Sequence, residues 1–182
     1  MPPDEHIVEH PTPLNPYTAG DVLAILRERQ WLSADPTPGQ LAWSERAAAL
    51  LGRHANDLVG LAGLLHLVFT YDAAQILQSR DSHAVLSRYA ARDVIRQLAL
   101  LLLDPRPFDS DRFKEVVTHL KETLEIRGRD LFHPLRLALA GRAGEGELDR
   151  VILLLDDASL LPFAVSVKSV RSRILEFCTV LD

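Results

Sequence analysis

The sequence predicts an all-α fold of packed helices, and three observations carry that expectation. Apolar residues recur at three- and four-residue spacing, most plainly at Phe113, Val116, Val117, Leu120 and Leu124. Helix-start residues and Pro or Gly breaks punctuate the chain at helix-length intervals. No stretch alternates apolar and polar residues over the length of a strand, Leu161–Val167 coming nearest.

The elements follow in order. Residues 1–16 hold five Pro, three acids and two His, a spacing that suits an extended lead-in rather than a helix. Thr18 opens the first helix, with Asp21 three residues on as an imperfect capping box and Val22, Leu23, Leu26 and Trp31 as its stripe. Asp35-Pro-Thr-Pro-Gly39 is a loop. A second helix spans Leu41–His54 and a third Asn56–Phe69, with Asn56 as its N-cap. Tyr71–Ser79 forms a short fourth helix and Ser82–Leu103 one long fifth helix. Asp104-Pro-Arg-Pro107 is a strong break, and divides the chain into two packed helical subdomains, residues 17–103 and 107–182.

Beyond the break, Asp109 or Ser110 caps a helix that Arg127-Gly128 ends, with Gly128 in the left-handed position. His133-Pro134 opens the next helix, Pro134 taking its first position. Gly141–Gly146 is a loop, and Leu148, Val151, Ile152 and Leu155 mark another helical stripe. Asp156–Val165 is irregular, and Ser169–Leu181 is the last helix. Trp31, Trp43 and Tyr89 are expected to be packing residues.

Composition excludes several classes. The chain has 182 residues, 20 Lys plus Arg against 25 Asp plus Glu, and a net charge of −5. That argues against nonspecific nucleic-acid binding and leaves room only for a local basic surface. The single cysteine, Cys178, rules out a disulfide framework and a cysteine zinc site. The longest apolar run, Leu98–Leu103, has six residues, far short of the ~20 a membrane span needs. The acidic N-terminus has no secretory-signal pattern, so the expected location is cytoplasmic.

Catalytic signals are weak. His6-Ile-Val-Glu-His10 matches an H-x-x-E-H metal string, but that chemistry needs both His on one helix face, a third ligand and a buried cleft, and here Pro flanks the string near the start of the sequence. There is no G-x-S-x-G elbow, P-loop or G-x-G-x-x-G sequence. The expectation is no catalytic residue, no metal and no cofactor in this chain alone.

The informative stretch is Glu125–Val151. Between Ile126 and Ala143 lie Arg127, Arg129, Arg136 and Arg142 against one acid, Asp130, a local charge of +3 beside Gly-rich backbone. Arg127 and Arg129 fit two roles: complementing a helix C-terminus, or binding phosphates. Phe132, Leu135 and Leu139 have core spacing, and Leu148 suits either core or contact.

The string RGRDLFHPLRLALAGRAGEGELDRVI (127–152) resembles the C-terminal anticodon-binding region of bacterial glutamyl-tRNA synthetases. Phe132, Pro134, Leu135, Arg136, Ala138, Leu139, Gly141, Glu147 and Leu148 match that family's string in type and spacing. Upstream, Trp43–Leu67 and Phe69-Thr-Tyr-Asp72 are similar with less specificity, and the likeness extends over roughly residues 20–176. Ala140 stands where the family has Thr, Gly146 where it has Pro, and Glu145 adds a negative charge to the loop. The His-Ile-Gly-His and Lys-Met-Ser-Lys-Ser motifs of the family's catalytic domain are absent.

The resemblance implies a noncatalytic module for the anticodon arm of a tRNA, most simply glutamate tRNA. The implied RNA-binding set is Arg127, Arg129, His133, Arg136, Gly141, Arg142 and Leu148. Arg136 would read a base edge from the first turn of a short helix, with Leu148 as an apolar wall. Arg127, Arg129 and Arg142 would hold phosphates, and Gly141–Gly146 would let backbone approach the ribose-phosphate. Two alternatives remain at this point. One is a domain of a full ligase, joined to or working with a separate catalytic chain. The other is a protein-interaction or regulatory domain that has lost RNA.

Overall fold

The computed structural model describes residues 15–182, and among them there are helices and no strand. The elements are α1 (Ala19–Glu28), α2 (Pro38–Leu51) with a 3₁₀ turn at Gly52–His54, α3 (Leu58–Phe69), α4 (Ala73–Leu77), α5 (Arg80–Leu86), α6 (Ala91–Leu101), α7 (Ser110–Leu124), α8 (Arg129–Ala140), α9 (Gly146–Leu153), α10 (Leu155–Ser159) and α11 (Val170–Leu181). The fold is all-α, as the apolar spacing predicts. The H-x-x-E-H string at 6–10 and most of the Pro-rich lead-in lie outside the described residues.

Side-chain caps set most of the starts. The Thr18 amide donates to Asp21 at 2.8 Å, closing the first turn of α1. Thr37 and Gln40 cap α2 reciprocally, at 2.9 and 3.1 Å, with Pro38 in the first turn, so the helix begins inside the expected loop. Asp57, not Asn56, caps α3 by accepting from Gly60. Asp109 caps α7 by accepting from Arg112.

Four local expectations are corrected. The long helix over Ser82–Leu103 is two helices, α5 and α6, separated by a turn at Ser87–Ala90. The Ser87 hydroxyl donates to the Ala84 carbonyl, and Ala90 takes a left-handed conformation at φ 62. A serine hydroxyl competing for the last carbonyls is a local reason to stop. Helix α7 ends on Glu125 at φ 54 rather than on Gly128. Gly128, at φ 61 and ψ −138, instead opens α8, its carbonyl accepting from Leu131 and Phe132. Pro134 therefore lies inside α8 rather than at its start. Buried Leu131 and Leu135 pin the turns on either side of it. Leu155–Ser159, expected to be irregular from Asp156 on, contributes the short α10.

The buried apolar side chains from Val22 to Phe177 form one continuous cluster. Its aromatic centre joins distant parts of the chain. Trp31 stacks on Phe69 at 4.7 Å, and Trp43, Phe69 and Phe163 meet edge to face at 5.0–5.6 Å. The Trp43 indole donates to the Leu154 carbonyl at 3.1 Å. Asp156 accepts from the backbone amides of Phe108 and Val170, at 2.9 and 3.0 Å, tying the Asp104–Pro107 turn to the start of α11.

A buried arginine locks α11 onto this core. Arg173 is 0% exposed and donates to the carbonyls of Leu67, Val68, Leu139 and Lys168, at 2.7–3.1 Å. Three of those carbonyls belong to the last turns of α3 and α8, which lack intrahelical partners. The guanidinium also lies 4.7 Å over the Tyr71 ring. Burial pulls its pKa down to about 10, so it remains charged at neutral pH, stabilised by carbonyl dipoles. The pinned end of α8 is the end from which the loop to α9 departs.

Candidate nucleic-acid interface

Helix α8 carries two kinds of arginine. Arg136 faces inward and is 8% exposed. Its Nε and Nη2 donate to the two Asp149 oxygens at 2.8 and 2.9 Å, and Nη1 donates to the Gly144 carbonyl at 2.8 Å. Its guanidinium stacks 4.7 Å over the Phe132 ring. All three nitrogens are engaged within the protein. The result is a clamp: Arg136 ties α8 to the Gly141–Glu145 loop and to the first turns of α9.

This geometry revises the expectation for Arg136 and Leu148. Arg136 sits in the C-terminal half of α8, since α8 begins at Arg129, and its fork is closed on a carboxylate rather than open to a base. Leu148 is 0% exposed and packs in the core, so it offers no wall to a ligand. Gly141 adopts φ 88, and its amide donates to the Leu137 carbonyl, which makes it the helix C-cap.

The outward arginines differ. Arg127, Arg129 and Arg142 are exposed, and His133 is half-buried. Arg88, from the turn after α5, reaches the His133 imidazole, with Nη1 and Nδ1 3.3 Å apart. Burial, then the Arg88 and Arg129 guanidiniums, hold the His133 pKa below its ordinary value of 6.5, while Glu145 opposes them. His133 is thus neutral at pH 7 and accepts from Arg88. Lys121 on α7 lies 5.9 Å over the Phe132 ring.

The structure therefore brings Arg88 and Arg129 to His133 on α8, while Lys121 meets α8 at Phe132. Arg88 and Lys121 were not among the sequence candidates. The signal for Arg88 was the Arg88-Tyr-Ala-Ala-Arg92 string, hidden by reading Ser82–Leu103 as one unbroken helix. Tyr89, expected to pack, is 84% exposed. The turn before α6 turns it away from the core.

Comparison with known proteins places this architecture. The family model of the anticodon binding domain matches residues 19–159, from α1 through α10. The chain belongs to that family. This anticodon-binding domain is similar to glutamate–tRNA ligase 2 of Syntrophus aciditrophicus, 34% identical over 126 residues, covering 69% of this chain and 25% of that protein. It is also similar to the glutamate–tRNA ligase of Exiguobacterium sibiricum, 22% identical over 133 residues, covering 73% of this chain and 27% of that protein. A shorter match, 36% identical over 63 residues, links it to a glutamate–tRNA ligase 2 of Coxiella burnetii. The chain spans about a quarter of the length of the first two relatives. No solved structure matches it at a comparable level. Helix α11, which carries Arg173, lies outside the family match. Among the described residues no helix is long and apolar enough to cross a membrane.

Proposed function

We propose that this domain binds the anticodon arm of a tRNA, with glutamate tRNA as the cognate species, and delivers it to a catalytic domain that performs the ligation. Membership of the anticodon-binding domain family supports this, together with the names of the relatives. The carrying observation is the basic segment around α8 in a chain of net charge −5. Arg127 before α8, Arg129 at its start and Arg142 after its end are all exposed, and Arg88 is held against His133.

In this proposal Arg127, Arg129 and Arg142 contact phosphates, and His133 with Arg88 forms the polar centre of the surface. Arg136, Gly141 and Leu148 act one layer below, by fixing the loop that presents Arg142. Phosphate contacts position an RNA without specifying it. Specificity then comes from how the rigid loop meets the unstacked anticodon bases.

The test is a pull-down of total bacterial tRNA with the bound pool sequenced. Enrichment of glutamate tRNA supports the assignment, and no tRNA capture at low salt refutes it. Each of Arg127→Ala, Arg129→Ala and Arg142→Ala should also flatten the salt dependence of binding. The expected change is about 0.7 in the slope of log affinity against log salt per lost contact.

A further inference from the structure

Tyr89 is the exposed group that the fold does not use. It is 84% exposed, at the crest of the turn between α5 and α6. An exposed tyrosine on a mobile tail would mean little, but this turn is built. The Arg88 amide donates to the Val85 carbonyl at 3.2 Å, and the Ala91 amide to the Arg88 carbonyl at 3.3 Å. The Ala90 carbonyl starts α6 by accepting from Val94 at 2.9 Å. Ala90 holds φ 62, a left-handed conformation that a residue with a Cβ adopts only where its surroundings impose it. Ala91, immediately after, is 1% exposed, so the turn is anchored from below.

The surroundings of the ring are cationic. Arg88 precedes it and bridges to His133 at 3.3 Å. Arg92 lies three residues on and is exposed, and Arg129 acts on the same imidazole that Arg88 does. Asp93, exposed in the first turn of α6, is the acid next along the chain, and Glu145 acts on the His133 imidazole against the guanidiniums. A rigid, solvent-facing aromatic ring flanked by arginines has the chemistry that single-stranded RNA requires. The ring offers a face to a base, and the guanidiniums take the phosphates on either side.

We propose that Tyr89 is a stacking platform for one unpaired RNA base, with Arg88 and Arg92 holding the adjacent phosphates. The proposal rests on the RNA-binding function above and adds a site to it. It lies outside the 127–152 segment that carries the sequence likeness. Stacking is indifferent to base identity, so this contact raises affinity and positions the strand, while selection among tRNAs lies elsewhere.

The experiment measures binding of the full chain to bacterial tRNA and to a fluorescein-labelled single-stranded heptanucleotide of mixed sequence. The proteins are wild type, Tyr89→Ala, Tyr89→Phe, Arg88→Ala and Arg142→Ala. Tyr89→Ala should weaken binding about 5- to 100-fold, with the salt slope unchanged. Tyr89→Phe should stay within about twofold of wild type, because the ring face is retained. Arg88→Ala should lower both affinity and salt slope. Melting temperature should be unchanged in both Tyr89 variants, since the ring packs against nothing that folding needs. Wild-type affinity in Tyr89→Ala, with weakened binding in Arg142→Ala, would overturn the platform and leave the RNA-binding function standing. Absence of RNA binding by the wild-type chain would overturn both. A Tyr89→Phe variant as weak as Tyr89→Ala would also overturn stacking, and would assign the effect to the hydroxyl.

Discussion

Removing either side of the Arg136–Asp149 pair separates a clamp from a base reader. The pair is bidentate, at 2.8 and 2.9 Å, with side chains 9% and 22% exposed. Deleting one partner of a buried ion pair costs about 3–5 kcal/mol. Asp149 retains some contact with water, so the lower end applies, about 3 kcal/mol for Arg136→Ala. Loss of the bond to the Gly144 carbonyl adds about 1 kcal/mol. Asp149→Ala leaves Arg136 still bonded to Gly144 and should cost about 2–3 kcal/mol. The double variant should cost less than the sum by about 2 kcal/mol, the coupling of a directly bonded pair. Urea unfolding followed by far-ultraviolet circular dichroism measures all four proteins, because the fold is helical throughout. A coupling below about 0.5 kcal/mol would refute the clamp. The RNA readout adds a second discrimination. A clamp predicts that Asp149→Ala weakens tRNA binding as Arg136→Ala does, since both loosen the Gly141–Glu145 loop. A base reader predicts the opposite for Asp149→Ala, which frees the guanidinium to meet a base.

Three further outcomes are expected. Arg173→Lys replaces five fixed donors by three on a point charge and cannot span four carbonyls. It should lower unfolding free energy by about 2–4 kcal/mol by urea titration, and an unchanged midpoint would show that the carbonyls find other partners. Gly128→Ala meets no atom within 4 Å but must hold φ 61, so its cost of about 1–3 kcal/mol is purely conformational. Arg136, Arg88 and Arg129 face His133 as cations and Glu145 as an anion, and the imidazole is neutral at pH 7. A bound phosphate favours its protonated form, so tRNA affinity should rise as pH falls from 7.5 to 5.5, and His133→Gln should flatten that profile. For folding without RNA the sign reverses. The folded-state pKa lies below 6.5, so protonation below that value favours the unfolded chain and stability falls there.

The helices were legible in the chain because their signals are local. Capping at Thr18 and Asp109, the Phe113–Leu124 stripe and the breaks at Asp35–Gly39 and Asp104–Pro107 each depend on neighbours a few residues away. The errors share a cause. The Ser87–Ala90 turn falls within an unbroken apolar pattern, so periodicity reads through it. Pro134 follows a histidine and looks like a helix start, but the Gly128 backbone starts the helix a turn and a half earlier. A cap that acts through φ and ψ alone leaves no side-chain signature. At the candidate interface, clustering of basic residues in 127–142 singled out a segment. It could not say which guanidinium faces inward.

Composition and spacing by themselves determine that this chain folds as helices, and its matching string of residues marks it as an anticodon-binding domain. Both properties are written in short-range patterns of apolarity, capping and motif. Only the tertiary structure decides the roles of the arginines. Arg112, Arg136 and Arg173 are buried at 5%, 8% and 0% exposure, each closing backbone carbonyls or a carboxylate. Arg88, Arg127, Arg129 and Arg142 remain in solvent. A guanidinium has the same chemistry in either place. What differs is whether a carboxylate or an orphan carbonyl from a distant helix stands within reach. That depends on Asp149 lying 13 residues from Arg136, and on Leu67 lying 106 residues from Arg173.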